Sequence, residues 1–152
     1  MNREIKFRGK TATVDGQNWV YGHYTRVESF FNDKKKDYIE VIKNNHMQDY
    51  AVIEDTVGQY TGLKDKNGVE IYEGDILKIP EWLWEDEQEY CVCIYQQENE
   101  VCDVYGFGLY IKDGYSGKYK VRVPSDEWDE FEVVGNIYDN PELLKKEGKV
   151  NE

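Results

Sequence analysis

Val57-Gly58-Gln59-Tyr60-Thr61-Gly62-Leu63-Lys64-Asp65-Lys66-Asn67-Gly68-Val69-Glu70-Ile71-Tyr72-Glu73-Gly74-Asp75-Ile76-Leu77-Lys78-Ile79 carries two turn signals and an apolar strand, and its reading decides the fold. Asp65-Lys66-Asn67-Gly68 has tight-turn chemistry: Asp opens the turn, and Asn-Gly accepts the positive φ angles that most residues resist. Glu73-Gly74-Asp75 then opens the apolar run of residues 76–79. A Gly-Asp turn heading an apolar strand is frequent at the start of SH3-like barrels, so by analogy such a barrel is expected here.

Strand signals extend from this centre in both directions. Ile5 and Phe7 alternate with Glu4, Lys6 and Arg8, the period of a half-buried strand. Trp19-Val20-Tyr21-Gly22-His23-Tyr24 and Tyr38-Ile39-Glu40-Val41-Ile42 read as strands, with Asn32-Asp33-Lys34-Lys35-Lys36 as a solvated hairpin tip between them. Tyr50-Ala51-Val52-Ile53 is a short fourth strand. On the other side, Tyr90-Cys91-Val92-Cys93-Ile94-Tyr95 is apolar on both faces, as a central strand is. Residues 101–112 read as a long strand with Gly106 and Gly108 as bulge or bend sites. Tyr119, Val121 and Val123 alternate with Lys118, Lys120 and Arg122, and residues 131–138 form the last strand. Asn140 is placed to cap a short helix with Pro141 at its first position.

These runs predict a mostly β chain of antiparallel strands. An N-terminal β-sheet region (1–58) is expected to pack on a C-terminal SH3-like barrel region (59–152) with a short C-terminal helix, unless the two form one continuous domain. At 152 residues the chain is long enough to bury a core unaided. Its aromatic share, 14% and mostly tyrosine, suits pleated surfaces.

Charge is uneven. Residues 1–60 carry nine Lys/Arg and nine Asp/Glu, whereas residues 61–152 carry ten and 22, so the second part holds the whole net charge of −12. Such a surface repels phosphate backbones, which makes nucleic acid an unlikely partner and a basic protein surface a better one. The plainer consequence of the charge is solubility. No apolar run is long enough to span a membrane, and the charged start lacks a signal-peptide pattern, so residence in the cytoplasm is expected. Three cysteines, an odd number, suggest free thiols.

Three segments together resemble the YopX family of phage and prophage proteins. They are Arg3-Glu4-Ile5-Lys6-Phe7-Arg8, the central stretch from Gly58 to Gly68 and on through Glu73-Gly74-Asp75-Ile76, and Val134-Gly135-Asn136-Ile137-Tyr138-Asp139-Asn140-Pro141-Glu142-Leu143-Leu144. They bracket almost the whole chain in the family's order, and the central one is highly specific. Many members follow the opening with Ala-Trp-Asp, where this chain has Gly9-Lys10-Thr11, as in a variant branch. The resemblance implies a β-rich fold and a phage or prophage origin acting in the bacterial host. It implies no activity and supplies no catalytic residues.

Cys91 and Cys93 share a strand face, and with Cys102 and His23 or His46 they could offer zinc ligands. The Cys-x-x-Cys turn spacing of structural zinc is missing, so buried thiols are the preferred reading and no metal is expected. Neither histidine sits in a motif for nucleophilic catalysis. Glu73 and Asp75 are paired carboxylates, yet a turn before a strand accounts for both. Asp65-Lys66-Asn67-Gly68 fails the calcium-loop pattern, because Leu63 falls where its first acid belongs. Gly114-Tyr115-Ser116-Gly117-Lys118 lacks phosphate-loop spacing. No catalytic residue or cofactor is therefore expected.

Trp82 and Trp84 stand among Glu81, Glu85, Asp86, Glu87 and Glu89. Packing back on the chain's own core is their modestly preferred use. Tryptophans also dominate binding surfaces when they reach a partner's pocket. If the chain has a contact surface, Trp82, Trp84, Glu85, Asp86 and Glu87 are its first candidates, and Trp128 in Asp126-Glu127-Trp128-Asp129-Glu130 comes next. The leading expectation is a non-catalytic phage accessory protein that binds a host or phage protein. The alternatives are a small metal-dependent enzyme on nucleotides or nucleic acid using Glu73 and Asp75, and a nucleic-acid-binding barrel using Lys118, Lys120 and Arg122.

Overall fold

The structure is a computed structural model that describes residues 4–13, 16–28, 34–43, 45–83, 90–96, 106–112, 119–123 and 125–144. The chain divides into two compact units, residues 1–62 and 63–152. Among the described residues the chain forms eleven strands in antiparallel pairings, and its helical segments are short 3-10 turns. No helix among the described residues is long and apolar enough to cross a membrane.

The first unit contains β1 (Phe7–Lys10), β2 (Trp19–Glu28), β3 (Lys35–Lys43), β4 (His46–Val52) and the start of β5 (Gly58–Lys64), bonded in the order β4-β3-β2-β1-β5. The β2–β3 register runs from His23 opposite Glu40 to Glu28 opposite Lys35. The expected lysine-rich tip is thus partly strand, and Lys35 Nζ pairs with Glu28 at 2.9 Å. Strands β3 and β4 meet at a two-residue turn, with Lys43 opposite His46 and Asn45 at φ 59°. Asn tolerates that left-handed geometry. Strand β4 begins four residues before the expected Tyr50, because cross-strand pairing overrides the polar composition of His46-Met47-Gln48-Asp49.

Side chains directly opposite one another share a face of a sheet. Phe7, Tyr24, Asp37, Ile39 and Val52 therefore lie on one face, and Phe7 packs against Tyr24 with ring centroids 5.5 Å apart. On the other face lie Arg8, Trp19, Tyr21, His23, Glu40, Ile42 and Met47. Arg8 sits over the Trp19 ring at 4.7 Å.

The second unit continues through the end of β5 to β6 (Glu70–Tyr72), which neighbours it. It then forms β7 (Asp75–Lys78), β8 (Tyr90–Gln96), β9 (Gly106–Lys112), β10 (Tyr119–Val123) and β11 (Glu132–Asn136). These last five strands form a sheet ordered β10-β9-β8-β7-β11. The expected central strand is β8, where Cys91, Val92 and Cys93 are all buried. Ile71, Leu77, Ile79, Cys91, Cys93, Leu109, Trp128 and Phe131 form the core, with Leu63, Leu83 and Val133 packed against it.

The structure corrects three expectations. The five-stranded sheet is open and does not close into an SH3-like barrel: β10 and β11 are its two edges. The hydrogen-bonding groups that β11 could offer at Phe131 C=O and Val133 N–H are taken by Lys66 N–H and the Asp65 carboxylate, each at 2.9 Å. The C-terminal helix is only a 3-10 turn, Pro141–Leu144, in which Leu143 N–H donates to Asn140 C=O. A segment this short gains too few bonds to offset the cost of helix nucleation. Gly106 and Gly108 pair in unbroken register with Gln96 and Ile94; the register shifts lie between Tyr119 and Val121 and between Val133 and Gly135.

Candidate functional site

The turn segments around Asp65, Asp75 and Asn136 are built into the framework of the second unit. Asp65, 5% exposed, spends both carboxylate oxygens on backbone donors. Oδ1 accepts from Asn67 N–H at 2.8 Å and Val69 N–H at 2.9 Å, and Oδ2 accepts from Val133 N–H. The turn is thereby clamped to a strand 68 positions later. Lys66 reinforces the clamp with a 2.6 Å ion pair to Glu132. The Asp75 side chain turns back to accept from Tyr72 N–H at 2.8 Å, closing a turn whose Gly74 sits at φ 86°. Asn136 Oδ1 accepts from Tyr138 and Asp139 N–H, while its Nδ2 donates to Asp139. Asp65, Asp75 and Asn136 are each buried, so these bonds replace water that the backbone has lost. Turn chemistry thus accounts for Asp75 within the Glu73-Asp75 pair.

Cys91 is buried, and burial pushes its thiol well above the ordinary value. Its Sγ lies 3.6 Å from Leu77 C=O, the setting of a small apolar core residue. Cys93 is also buried, whereas Cys102 lies outside the described residues. Among the described residues, no group of three or more His, Cys, Asp and Glu side chains gathers as metal ligands would. His23 and His46 are both exposed. Lys118 lies outside the described residues, as does the Gly114–Lys118 loop, and only backbone is described for Lys120 and Arg122.

The candidate contact residues separate. Trp128 is 1% exposed and belongs to the core, so its ring is removed from the candidate surface; the apolar area it buries outweighs the acidic residues flanking it in sequence. Trp82, in the 3-10 turn Glu81–Leu83, is 60% exposed. Its Nε1–H donates to Glu130 Oε2 at 2.9 Å, which holds the indole in one orientation on the surface. Glu81, Asp129 and Glu130 are exposed as well. Trp84, Glu85, Asp86 and Glu87 lie outside the described residues.

A polar cluster in the first unit escaped the sequence reading. The Asp37 carboxylate, 5% exposed, accepts from Tyr24 Oη–H at 2.5 Å and Arg26 Nε–H at 2.8 Å. Arg26 also bridges to Glu54. Burial alone would raise the Asp37 carboxyl; its bonds to Arg26 and Tyr24 outweigh burial and hold it below the ordinary value of 3.8. Burial and the neighbouring Asp37 push the Tyr24 phenol upward, so it stays a protonated donor at neutral pH. Hydrogen bonds to Asp37 and Glu54 raise Arg26 further. Beside this cluster is an open cleft of about 370 Å³ lined by Ala12, Lys35, Lys36, Asp37, Ala51, Val52 and Glu54. With Arg26 shared between two carboxylates, the cluster braces a hairpin against the Glu54–Thr56 turn. One signal was present in the sequence: Arg26 and Asp37 are opposite charges placed symmetrically about the hairpin tip.

No curated protein is similar to this chain. A solved structure is similar, the crystal structure of protein EF1440 from Enterococcus faecalis. It is 25% identical, with a TM-score of 0.50, and the match covers 95% of this chain and 100% of that one. The model of the family described as YopX protein matches residues 6–145. The central and C-terminal segments quoted above lie wholly inside that span and half of Arg3–Arg8 does, and the chain belongs to the YopX family.

Proposed function

We propose that this chain is a non-catalytic protein-binding module, encoded by a phage or prophage and working in the cytoplasm of the bacterial host. Its contact surface is centred on Trp82 and takes a partner with a basic face. One observation carries the reading: a tryptophan 60% exposed to solvent and held by Glu130 in an acidic neighbourhood. Leaving an indole in water forgoes the favourable burial of a large apolar ring. Fixing it in advance lowers the ordering cost of docking. The surrounding carboxylates would speed encounter with a basic surface and reject acidic ones. The charge excess of residues 61–152 adds to the same attraction.

The test is capture from a bacterial lysate at low and high salt, followed by titration of any captured protein against wild type and Trp82→Ala. A basic partner retained at low salt and released at high salt is expected, with affinity for Trp82→Ala weaker by about tenfold or more. The absence of any salt-sensitive partner overturns the reading, and so does equal binding by Trp82→Ala.

A further inference from the structure

We propose that the open edge of β4 pairs with the same edge of a second copy of this chain. The pairing runs antiparallel about a two-fold axis at Gln48 and joins two N-terminal sheets. Strand β4 is the last strand in its sheet, bonded to β3 on one side. Its far end is already covered: Ala12 N–H donates to Ala51 C=O and Ile53 N–H to Lys10 C=O, both at 2.9 Å. Those bonds fix the alternation along the strand. Ala51 points its backbone groups away from β3, so Asp49 and Met47 do too. Neither Asp49 nor Met47 has a backbone partner on that outer side among the described residues. The exposed edge carries none of the usual protection by proline, lysine or a bulge; Asp49 is its one charged residue.

The side chains fit the same reading. Ile42 and Met47 stand directly opposite each other, on the two strands nearest this edge. They are 68% and 67% exposed, more than any other large apolar side chain among the described residues. Pairing about Gln48 would engage the outward backbone groups of both Met47 and Asp49. Met47 and Asp49 of each copy would exchange backbone bonds, Gln48 would face its own copy, and His46 would face Tyr50. No like charges would stand directly opposite each other, although the two Asp49 side chains would be diagonal neighbours on the same face, with Glu40 behind each. Met47 and its copy would be diagonal neighbours on one face, with Ile42 behind each, forming an apolar stripe.

Charge favours a second copy at this place. Residues 61–152 carry the full net charge of −12, so two copies repel wherever those surfaces approach. Residues 1–60 balance nine positive against nine negative side chains, so approach through the first unit avoids that net repulsion and leaves only the local acids Glu40 and Asp49.

The test is the mass of the full chain in solution against concentration, by sedimentation equilibrium up to roughly 0.5 mM. That range suits a five-residue edge, which buries well under the about 1,600 Å² of a standard interface. A rise from 18.0 kDa towards twice that value is expected. Added salt should strengthen it by screening the acidic units, the opposite of its effect on a basic partner. Asp49→Pro blocks the outer backbone groups without touching bonds to β3. Met47→Lys places a charge in the stripe. Each should hold the mass at one chain with the far-UV circular dichroism unchanged, and Met47→Lys carries the test should Asp49→Pro misfold. Trp82→Ala should associate as wild type does. A single-chain mass throughout overturns the proposal, as does association that survives Met47→Lys or is lost in Trp82→Ala.

Discussion

The two units bury different material. Among the described residues, the first unit buries three large hydrophobic side chains, Ile39, Val52 and Tyr60, and five polar ones, Arg8, Thr11, Asp37, Thr56 and Thr61. The second buries eleven hydrophobic residues around Trp128 and Phe131 and only three polar ones, Asp65, Asp75 and Asn136. In the first unit the polar groups tie strand ends to neighbouring segments: Thr56 Oγ1 accepts from Lys10 N–H at 2.9 Å, and Asp37 gathers Tyr24 and Arg26. In the second they cap turns around an apolar centre. A sheet braced by bonds at its margins leaves apolar side chains such as Tyr21, Val27, Ile42 and Met47 exposed, whereas the centred core of the second unit draws Trp128 inward and leaves Trp82 at its surface. The comparison teaches that exposure in this chain follows from what a residue packs against and not from its local composition alone.

The largest effect should come from the core. Trp128→Ala removes the largest fully buried side chain and should cost about 3–5 kcal/mol in chemical unfolding. If the second unit is the centred one, its probes should lose stability first. Equal loss in both units would break the comparison.

Asp65→Ala should rank second, at roughly 2–4 kcal/mol, because three backbone N–H groups lose a charged acceptor at once. Asp65→Asn, which keeps the shape and part of the bonding, should recover some of that loss. A loss no greater than that of an exposed substitution would show that the clamp contributes little.

In the first unit, Asp37→Asn should cost about 1–2 kcal/mol at neutral pH by weakening the bonds from Arg26 and Tyr24. The folded-state carboxyl lies below 3.8, so its contribution is present above that ordinary value and is lost as pH falls through the folded one. Wild type and Asp37→Asn should therefore converge on acidification below pH 3.8. A constant gap across that range would remove the charged network from the account. The smallest effect belongs to the open face: Tyr21→Ser, at a side chain 43% exposed, should change stability by less than about 0.5 kcal/mol.

Much of the architecture was legible because turns and strands are local. Asp65-Lys66-Asn67-Gly68 is a turn by its own composition, and Cys91-Val92-Cys93 is a central strand by its two-sided apolarity. Boundaries failed where composition and pairing disagreed. His46-Met47-Gln48-Asp49 is polar yet strand, because β3 supplies its partners. The two tryptophan segments look alike as strings, an indole among acids. Only packing distinguishes Trp128, buried against Phe131 and Leu77, from Trp82, held outside by Glu130.

The sequence by itself determined the β class, the turns with left-handed glycines, the charge division near residue 60 and the family, since each depends on residues close together or on counts. The tertiary structure alone decided that the second sheet stays open, that Asp65 reaches Val133, and that Arg26 meets Asp37 and Glu54. The physical reason is register. A hydrogen bond between residues far apart in the chain depends on which strands lie side by side and at what offset, and composition carries no record of either.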